Sequence, residues 1–473
     1  MIFRRLYDQG LAQASYLIGC EATGEAVVID ANRDVAQYIA AAAAEKVHIR
    51  CVTETHIHAD YVSGSRELAK RTGAQLLLSA EGGPDWQYAF ATTDGATLLR
   101  DGSSFHVGRV RIDVMHTPGH TPEHLAFLVT DEATSGRPVG LASGDFVFVG
   151  DVGRPDLLER AAKVANTMRD SAHVLFHSLQ RFRALPDHVQ LWPGHGAGSA
   201  CGKALGALPQ STVGYEKLAN WAFAISDEDA FVAEVLVGQP EPPTYFAQMK
   251  RINRDGPRIL DGLPHPTMLD SDTLSARLAA GAIVVDVRSA EAFGAAFGAG
   301  TINIPLSASF STWAGWLLPY GTDVFLIADD AATCDRAARE LAMIGLDDVA
   351  GWFPASVVAD WAAAGTAGSP IPCMSALELA ERLADGDLVV VDVRNRSEWD
   401  HGHLPGALHI PLGELAGRVG ELPADRHIVV QCQGGTRSAI AASLLRRHAI
   451  SGVINLRGGF SEWTREGLPV SME

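Results

Sequence analysis

In the first half of the chain, four short apolar runs each end in a turn that carries histidine or aspartate. Ile49 to Val52 leads to Thr55-His56-Ile57-His58-Ala59-Asp60-Tyr61. Val110 to Val114 alternates β-branched with polar positions and leads to His116-Thr117-Pro118-Gly119-His120-Thr121. Val139 to Ala142 leads to Ser143-Gly144-Asp145, and Val189 to Trp192 leads to Pro193-Gly194-His195-Gly196. Alternation and β-branched content predict strands, and the Gly and Pro beyond them predict tight turns. A lone histidine after a strand is usually an ordinary polar loop residue. Four strand ends that all offer metal-competent side chains predict a metal site instead. Ala40 to Ala44 reads only as an alanine-rich helical segment.

The second half repeats itself. Ile283-Val284-Val285-Asp286-Val287-Arg288 returns as Val389-Val390-Val391-Asp392-Val393-Arg394, an offset of 106. The offset persists at Gly300 and Gly406, and at Pro305 and Pro411, then becomes 104 at Ala337 and Ala441. Each copy alternates apolar strands with helical stretches, which predicts two small α/β domains with parallel sheets.

In the second copy, the strand Ile428 to Gln431 runs into Cys432-Gln433-Gly434-Gly435-Thr436-Arg437-Ser438 and then a helix from Ala439 to Arg446. Gln433, Gly434, Gly435 and Thr436 form the expected cradle. Its glycines let successive N–H groups point inward, and a helix N-terminus adds partial positive charge. Arg437 is expected to add a full charge, and a thiol in such a loop is a ready nucleophile. With Arg437 only five positions after Cys432, the loop suits persulfide sulfur better than phosphate. In the first copy Ala328 stands opposite Cys432, and two carboxylates, Asp329 and Asp330, follow it. That copy is expected to be a spacer or docking surface, with Cys334 a packed thiol.

At 473 residues the chain has room for about three domains. The pattern divides it into 1–258, a linker 259–267, 268–364, a linker 365–373 and 374–473. The net charge of −18 argues against nucleic acid or an anionic membrane as partner. No apolar run reaches signal-peptide or membrane-spanning length. Six scattered cysteines do not make a disulfide framework and fit a reducing cytoplasm.

Two histidines and a carboxylate with open positions is the ligand set of non-haem Fe(II) oxygenases. Zinc hydrolases accept the same ligand types. Residues 1 to 258 resemble the persulfide dioxygenases, a branch of the metallo-β-lactamase superfamily close to glyoxalase II. The metal loops carry the resemblance, together with Gly150-Asp151-Val152-Gly153-Arg154-Pro155-Asp156-Leu157 and the tail from Pro242 to Asn253. It implies an αββα fold and one Fe(II) per chain held by His56, His120 and Asp145. His58, Asp60 and His195 would then orient ligands or bind water. Loops of this superfamily usually continue with a further histidine that helps hold a second metal. Tyr61 stands there, and a phenol with a pKa of about 10 is a poor ligand at neutral pH.

Both repeats resemble rhodanese domains, on Asp392-Val393-Arg394, His403-Leu404-Pro405-Gly406-Ala407 and the Cys432 loop. The whole chain resembles bacterial persulfide dioxygenase–rhodanese fusions. That implies oxidation of a low-molecular-weight thiol persulfide by O2 to sulfite, and sulfur transfer through Cys432 to give thiosulfate. A sulfide-oxidising enzyme is a candidate persulfide donor, and a homo-oligomer is expected. Arg154 is a candidate contact for the anionic carrier thiol, or else an ion-pair partner of Asp151 or Asp156. Cys201 is a candidate sulfur relay, or else a buried inert thiol. Glutathione-using members carry a tyrosine soon after the last histidine, whereas this chain reads Gly196-Ala197-Gly198-Ser199-Ala200-Cys201. The carrier is therefore left open among glutathione, coenzyme A and others. The alternatives are a zinc thioesterase of glyoxalase II type fused to a sulfur carrier, and a non-oxidising sulfur-relay protein.

Overall fold

The structure, a computed structural model, describes residues 1–160, 167–203, 205–363, 367–423 and 425–472. The expected second linker begins at 365, and its residues 365 and 366 lie outside the described set, as does 473. The chain forms two compact units. One comprises Met1–Leu263 with Ala342–Gly345, and the other Pro264–Leu341 with Leu346–Glu473.

The first unit is built on two six-stranded sheets. The first sheet holds β1 (Ile2–Asp8), β2 (Gln13–Cys20), β3 (Glu25–Ile29), β4 (His48–Thr53), β5 (Gln75–Ser79) and β6 (Thr97–Leu99) in chain order. The second holds β7 (Ser104–Val107), β8 (Val110–His116), β9 (Leu125–Asp131), β10 (Gly140–Gly144), β11 (Gln190–Pro193) and β12 (Ser211–Thr212), likewise in order. Both sheets are mixed: β3 to β6 run parallel, as do β10 and β11, and the other pairs are antiparallel.

Tyr16, Ile18, Val27 and Ile29 of the first sheet pack against Ile112, Val114, Phe127 and Trp192 of the second. The outer face of the first sheet is covered by helices Val35–Ala44 and Ser65–Thr72, through Tyr38, Ala42 and Leu68. The outer face of the second is covered by helix Met168–Arg183, through Leu175, Leu179 and Phe182, and by Phe231 and Val232. All eight residues of β2 are buried, because both its faces are covered. Each such apolar side chain contributes about 1.5–3 kcal/mol of burial. The result is the expected αββα architecture, and β4, β8, β10 and β11 end in the loops that carry the candidate ligands.

The second unit contains two parallel sheets with one strand order. The first runs Ile302–Asn303, Ile283–Asp286, Val324–Ala328, Val349–Pro354. The second runs Leu408–His409, Leu388–Asp392, His427–Gln431, Val453–Leu456, Cys373–Met374. Asp286 pairs with Ile327 and Asp392 with Gln431, so Ala328 and Cys432 hold equivalent places just beyond them. The Asp-x-Arg motif does the same work twice. Asp286 grips Arg288, whose guanidinium also donates to Ala296 O, and Asp392 grips Arg394, which donates to Gly402 O.

Candidate functional site

Asp145 stands at the centre of the first site. Its carboxylate is 1 % exposed, and among the described residues neither oxygen is given a hydrogen-bond partner. Oδ2 faces His120 Nε2 at 3.5 Å and His56 Nε2 at 3.9 Å. Oδ1 faces His195 Nε2 at 3.5 Å. A fully buried, unpaired carboxylate ringed by imidazole nitrogens is costly without a cation. The donor set therefore fits a metal ion.

Each imidazole is turned toward the centre by a bond at its other nitrogen, an arrangement typical of metal-ligating histidines. His120 Nδ1 lies 3.2 Å from Arg154 O, and His195 Nδ1 lies 3.1 Å from Ala12 O. His56 Nδ1 lies 2.9 Å from Thr55 Oγ1, which in turn donates to Asp30. Burial, then the neighbouring histidines, pulls the His56 pKa well down. Burial also lowers that of His120, against the pull of Asp145. Both rings are thus neutral, the form a metal requires. Gly194 permits the crowding, because a Cβ there would lie 2.7 Å from Asp145 Oδ1.

His56, His120 and Asp145 form one group whose ligand atoms all lie within 4.8 Å of one another. Asp60, His195 and Cys201 form a second such group, with His195 Nε2 3.3 Å from Asp60 Oδ2. His58 belongs to neither. Burial would depress its pKa, but the charge and hydrogen bond of Asp30 win and raise it to about 9. Tyr61 stacks on His58 at 4.5 Å, and its hydroxyl meets Gln13 and Asp30 O. Burial, then Asp30 and Asp60, keeps that phenol protonated. Beside the His120 loop lies a cleft of about 380 Å³, lined by Trp86, Pro118, Gly119, Pro122 and Val174.

Three residues outside the sequence-derived set shape this site. Asp30 receives Thr55 N and Thr55 Oγ1 as well as His58. His124 stacks on His56 at 5.0 Å and accepts the backbone N–H of Asp145 at 3.1 Å. Asn253 clamps the metal loop, donating to His58 O and Tyr61 O at 2.8 and 2.7 Å and accepting from Ser63 N at 2.9 Å. Asp30 carried a signal in the sequence, since it ends the apolar run Val27-Val28-Ile29 as the other site residues end theirs.

The second site is the Cys432 loop. Cys432 is 1 % exposed, and its Sγ accepts Gly435 N–H at 3.1 Å and lies 3.5 Å from Ser438 Oγ. Gly435 takes φ 103° and starts helix Thr436–Arg447. Gln433 is fixed by Ser461 and Arg394. The turn at Gly458-Gly459 closes over the loop, with Phe460 N–H donating to Cys432 O and Ser461 N–H to Gln433 O. In the first repeat only Asp329 and Asp330 separate strand Val324–Ala328 from helix Ala331–Met343, and Asp330 accepts Thr333 N–H there. No cradle forms in that repeat. Cys334 is fully buried, which raises its thiol pKa to about 12.

Two family profiles match the chain: the metallo-beta-lactamase superfamily over residues 8–195 and the rhodanese-like domain over residues 375–466. A solved metallo-beta-lactamase from Staphylococcus aureus subsp. aureus COL is 40 % identical and covers 75 % of this chain and 99 % of its own, with a TM-score of 0.67. This chain belongs to the metallo-beta-lactamase superfamily. Its superfamily domain is also similar to the mitochondrial persulfide dioxygenase ETHE1 of Bos taurus, 25 % identical over 247 residues, which are 51 % of this chain and 84 % of that one. The C-terminal part is similar to a sulfurtransferase of Allochromatium vinosum, 41 % identical over 93 residues, 20 % of this chain and 87 % of that one. The chain spans between 41 % and 87 % of the length of eight curated relatives that it matches. The chain thus joins a metallo-beta-lactamase domain with persulfide dioxygenase homologues to a C-terminal rhodanese-like domain.

One sequence expectation needs correction, that of Arg437, and the open readings of Arg154 and Cys201 are narrowed. Arg154 is fully buried, its donors taken by Asp156, Ala200 O and Pro240 O, so it cannot meet a substrate anion. It instead ties the Cys201 loop to the His120 support. Arg437 is held bidentately by Glu398 at 2.6 and 2.7 Å, so its charge is paired, not free in the cradle. Burial, then Asp60 and Asp145, pushes the Cys201 thiol well above its usual pKa, the reverse of an activated thiolate. Among the described residues, no helix is long and apolar enough to cross a membrane.

Proposed function

We propose that this chain is a non-haem Fe(II) persulfide dioxygenase fused to a sulfurtransferase, with working modules at 1–258 and 374–473. The homologies to a persulfide dioxygenase and a sulfurtransferase support an enzyme of sulfur metabolism. The observation that carries the finer reading is the unpaired Asp145 facing two neutral histidines, with Tyr61 engaged elsewhere.

His56, His120 and Asp145 would hold one iron per chain, leaving positions open on an octahedral ion. Iron there would supply activation of O2 beside the persulfide sulfur. The reaction is RSSH + O2 + H2O giving RSH, sulfite and two protons. The protein's own part is positioning. Thr55, Arg154 O and Ala12 O fix the imidazoles, and the fully buried surroundings exclude bulk water. The cleft at Trp86 and Pro118, beside the His120 loop, would seat the body of a carrier thiol. Cys432 would take sulfane sulfur as a persulfide and pass it to sulfite, giving thiosulfate and the free thiol. Gly435 N–H and the helix N-terminus stabilise the sulfur anion in that exchange.

One observation favours a second reading. Asp60, His195 and Cys201 could hold another metal, which would suit hydrolysis of a thioester. Metal analysis of anaerobically purified protein, with oxygen uptake on glutathione and coenzyme A persulfides, decides the matter. One iron with oxygen consumption supports the dioxygenase. Two zinc ions with thioester hydrolysis and no oxygen uptake would overturn it.

A further inference from the structure

Helix Thr436–Arg447, which opens at the Cys432 loop, has no solvent face over its middle turns. Residues Ser438 to Leu445 are all buried, eight in a row and more than two full turns. A helix lying on one sheet leaves a polar stripe outward. This one packs on its own strands His427–Gln431 and Val453–Leu456, and its other side meets strand Ile302–Asn303 and helix Ala290–Ala295 of the first repeat.

The contact is polar as well as apolar. Asn303 N–H donates to Ser443 Oγ at 2.9 Å, with both residues fully buried. Asn303 is itself fixed, since its Nδ2 donates to Asp286 O and Arg288 O, the motif that organises the first repeat. Further along, Arg447 donates to Gly300 O at 3.2 Å. A second wedge lies beside it: helix Phe310–Leu317 packs on helix Leu412–Arg418, and the Trp316 ring lies so close to Gly413 that a Cβ there would sit 2.2 Å from it.

We propose that the first repeat, which has no thiol cradle of its own, is a positioning module for Cys432. Its Asn303 edge sets the register of the helix whose N-terminal amides form the Cys432 cradle, and its Trp316 wedge backs helix Leu412–Arg418, which packs against that helix. Ser443 is then a positioning residue two turns down the helix from the loop. This rests on the reading of Cys432 as the sulfur-accepting thiol.

The test uses the full chain with Ser443→Ala, which strands the buried Asn303 N–H, and Ser443→Thr, which restores a hydroxyl. Thiosulfate-to-cyanide transfer and the pH profile of Cys432 alkylation by iodoacetamide are measured. Ser443→Ala should lower kcat about tenfold with KM within about twofold, the kind of loss a small misplacement causes. It should also move the alkylation profile to higher pH, and Ser443→Thr should recover both. Wild-type kcat and alkylation in Ser443→Ala, whatever its melting temperature, would overturn the proposal. If Ser443→Ala accumulates poorly, Trp316→Phe thins the wedge and is judged by the same readouts. Failure of the underlying reading looks different, because the unaltered chain would then neither turn over nor alkylate at Cys432.

Discussion

Asn253 offers the sharpest check on how the metal loop is held. Asn253→Asp keeps the side-chain volume, so no cavity term enters. It removes the two N–H donors that reach His58 O and Tyr61 O at 2.8 and 2.7 Å. Asn253 is 1 % exposed, so neither carbonyl gains water in exchange. Leaving a buried partner unsatisfied costs about 1–3 kcal/mol, so two such losses come to about 2–6 kcal/mol. That is a large part of the roughly 5–15 kcal/mol that holds a domain folded. The new carboxyl, facing carbonyl oxygens, would have its pKa raised in the fold. When protonated it can still donate one bond, so the defect should be smaller at low pH and deepen as pH rises. Guanidinium unfolding of the metal-free variant at pH 5 and pH 8 measures this, and transfer of iron to a chelator reports the loop itself. A variant within about 0.5 kcal/mol of the parent at both pH values, releasing iron at the parental rate, would refute the clamp.

Other outcomes follow from the same geometry. His120→Ala should abolish metal binding and oxygen uptake together while thiosulfate-to-cyanide transfer persists, as metal analysis and the two assays would show. Cys432→Ser should stop thiosulfate formation while sulfite accumulates, and should leave no residual cyanide turnover from the first repeat. Cys201→Ser should leave persulfide oxidation and iron content close to parental, and an anaerobic persulfide load should leave no extra sulfur on Cys201 by peptide mass spectrometry. Burial raises the Glu123 pKa from 4.5 to about 7. The stability this gives is fully present below about 4.5 and is lost as pH rises through about 7. Glu123→Gln should therefore flatten the pH dependence of the unfolding free energy across that window.

What the chain displays locally was legible in its sequence. His56, His120, Asp145 and His195 each follow a strand, and strand ends in a sandwich share one rim. The repeat, with its offset of 104 beyond the length change, placed Cys432 and Ala328 correctly, because register within a parallel sheet follows the pattern of each strand. Pairings between distant residues were not legible. Arg437 looked like a free cation, and only the fold brings Glu398 to it. Arg154 had two readings until Ala200 O and Pro240 O were seen on its guanidinium. Asn253 gave no chemical signal at all, since an amide on a helix reads as a surface residue until its three partners are known. His124 was masked by its neighbour His120, and its role as a stacking plate under His56 depends on ring orientation alone.

The ties that complete the metal centre reach far along the chain: Ala12 to His195, and Asn253 back to His58 and Tyr61. During synthesis the early residues emerge long before their partners, and domains fold as units once their parts are available. A partial chain ending before Asn253 lacks the clamp on the loop that carries His56 and His58. A metal ion entering sooner would meet loose histidines with little affinity. Metal loading at such a site would therefore belong to the finished fold.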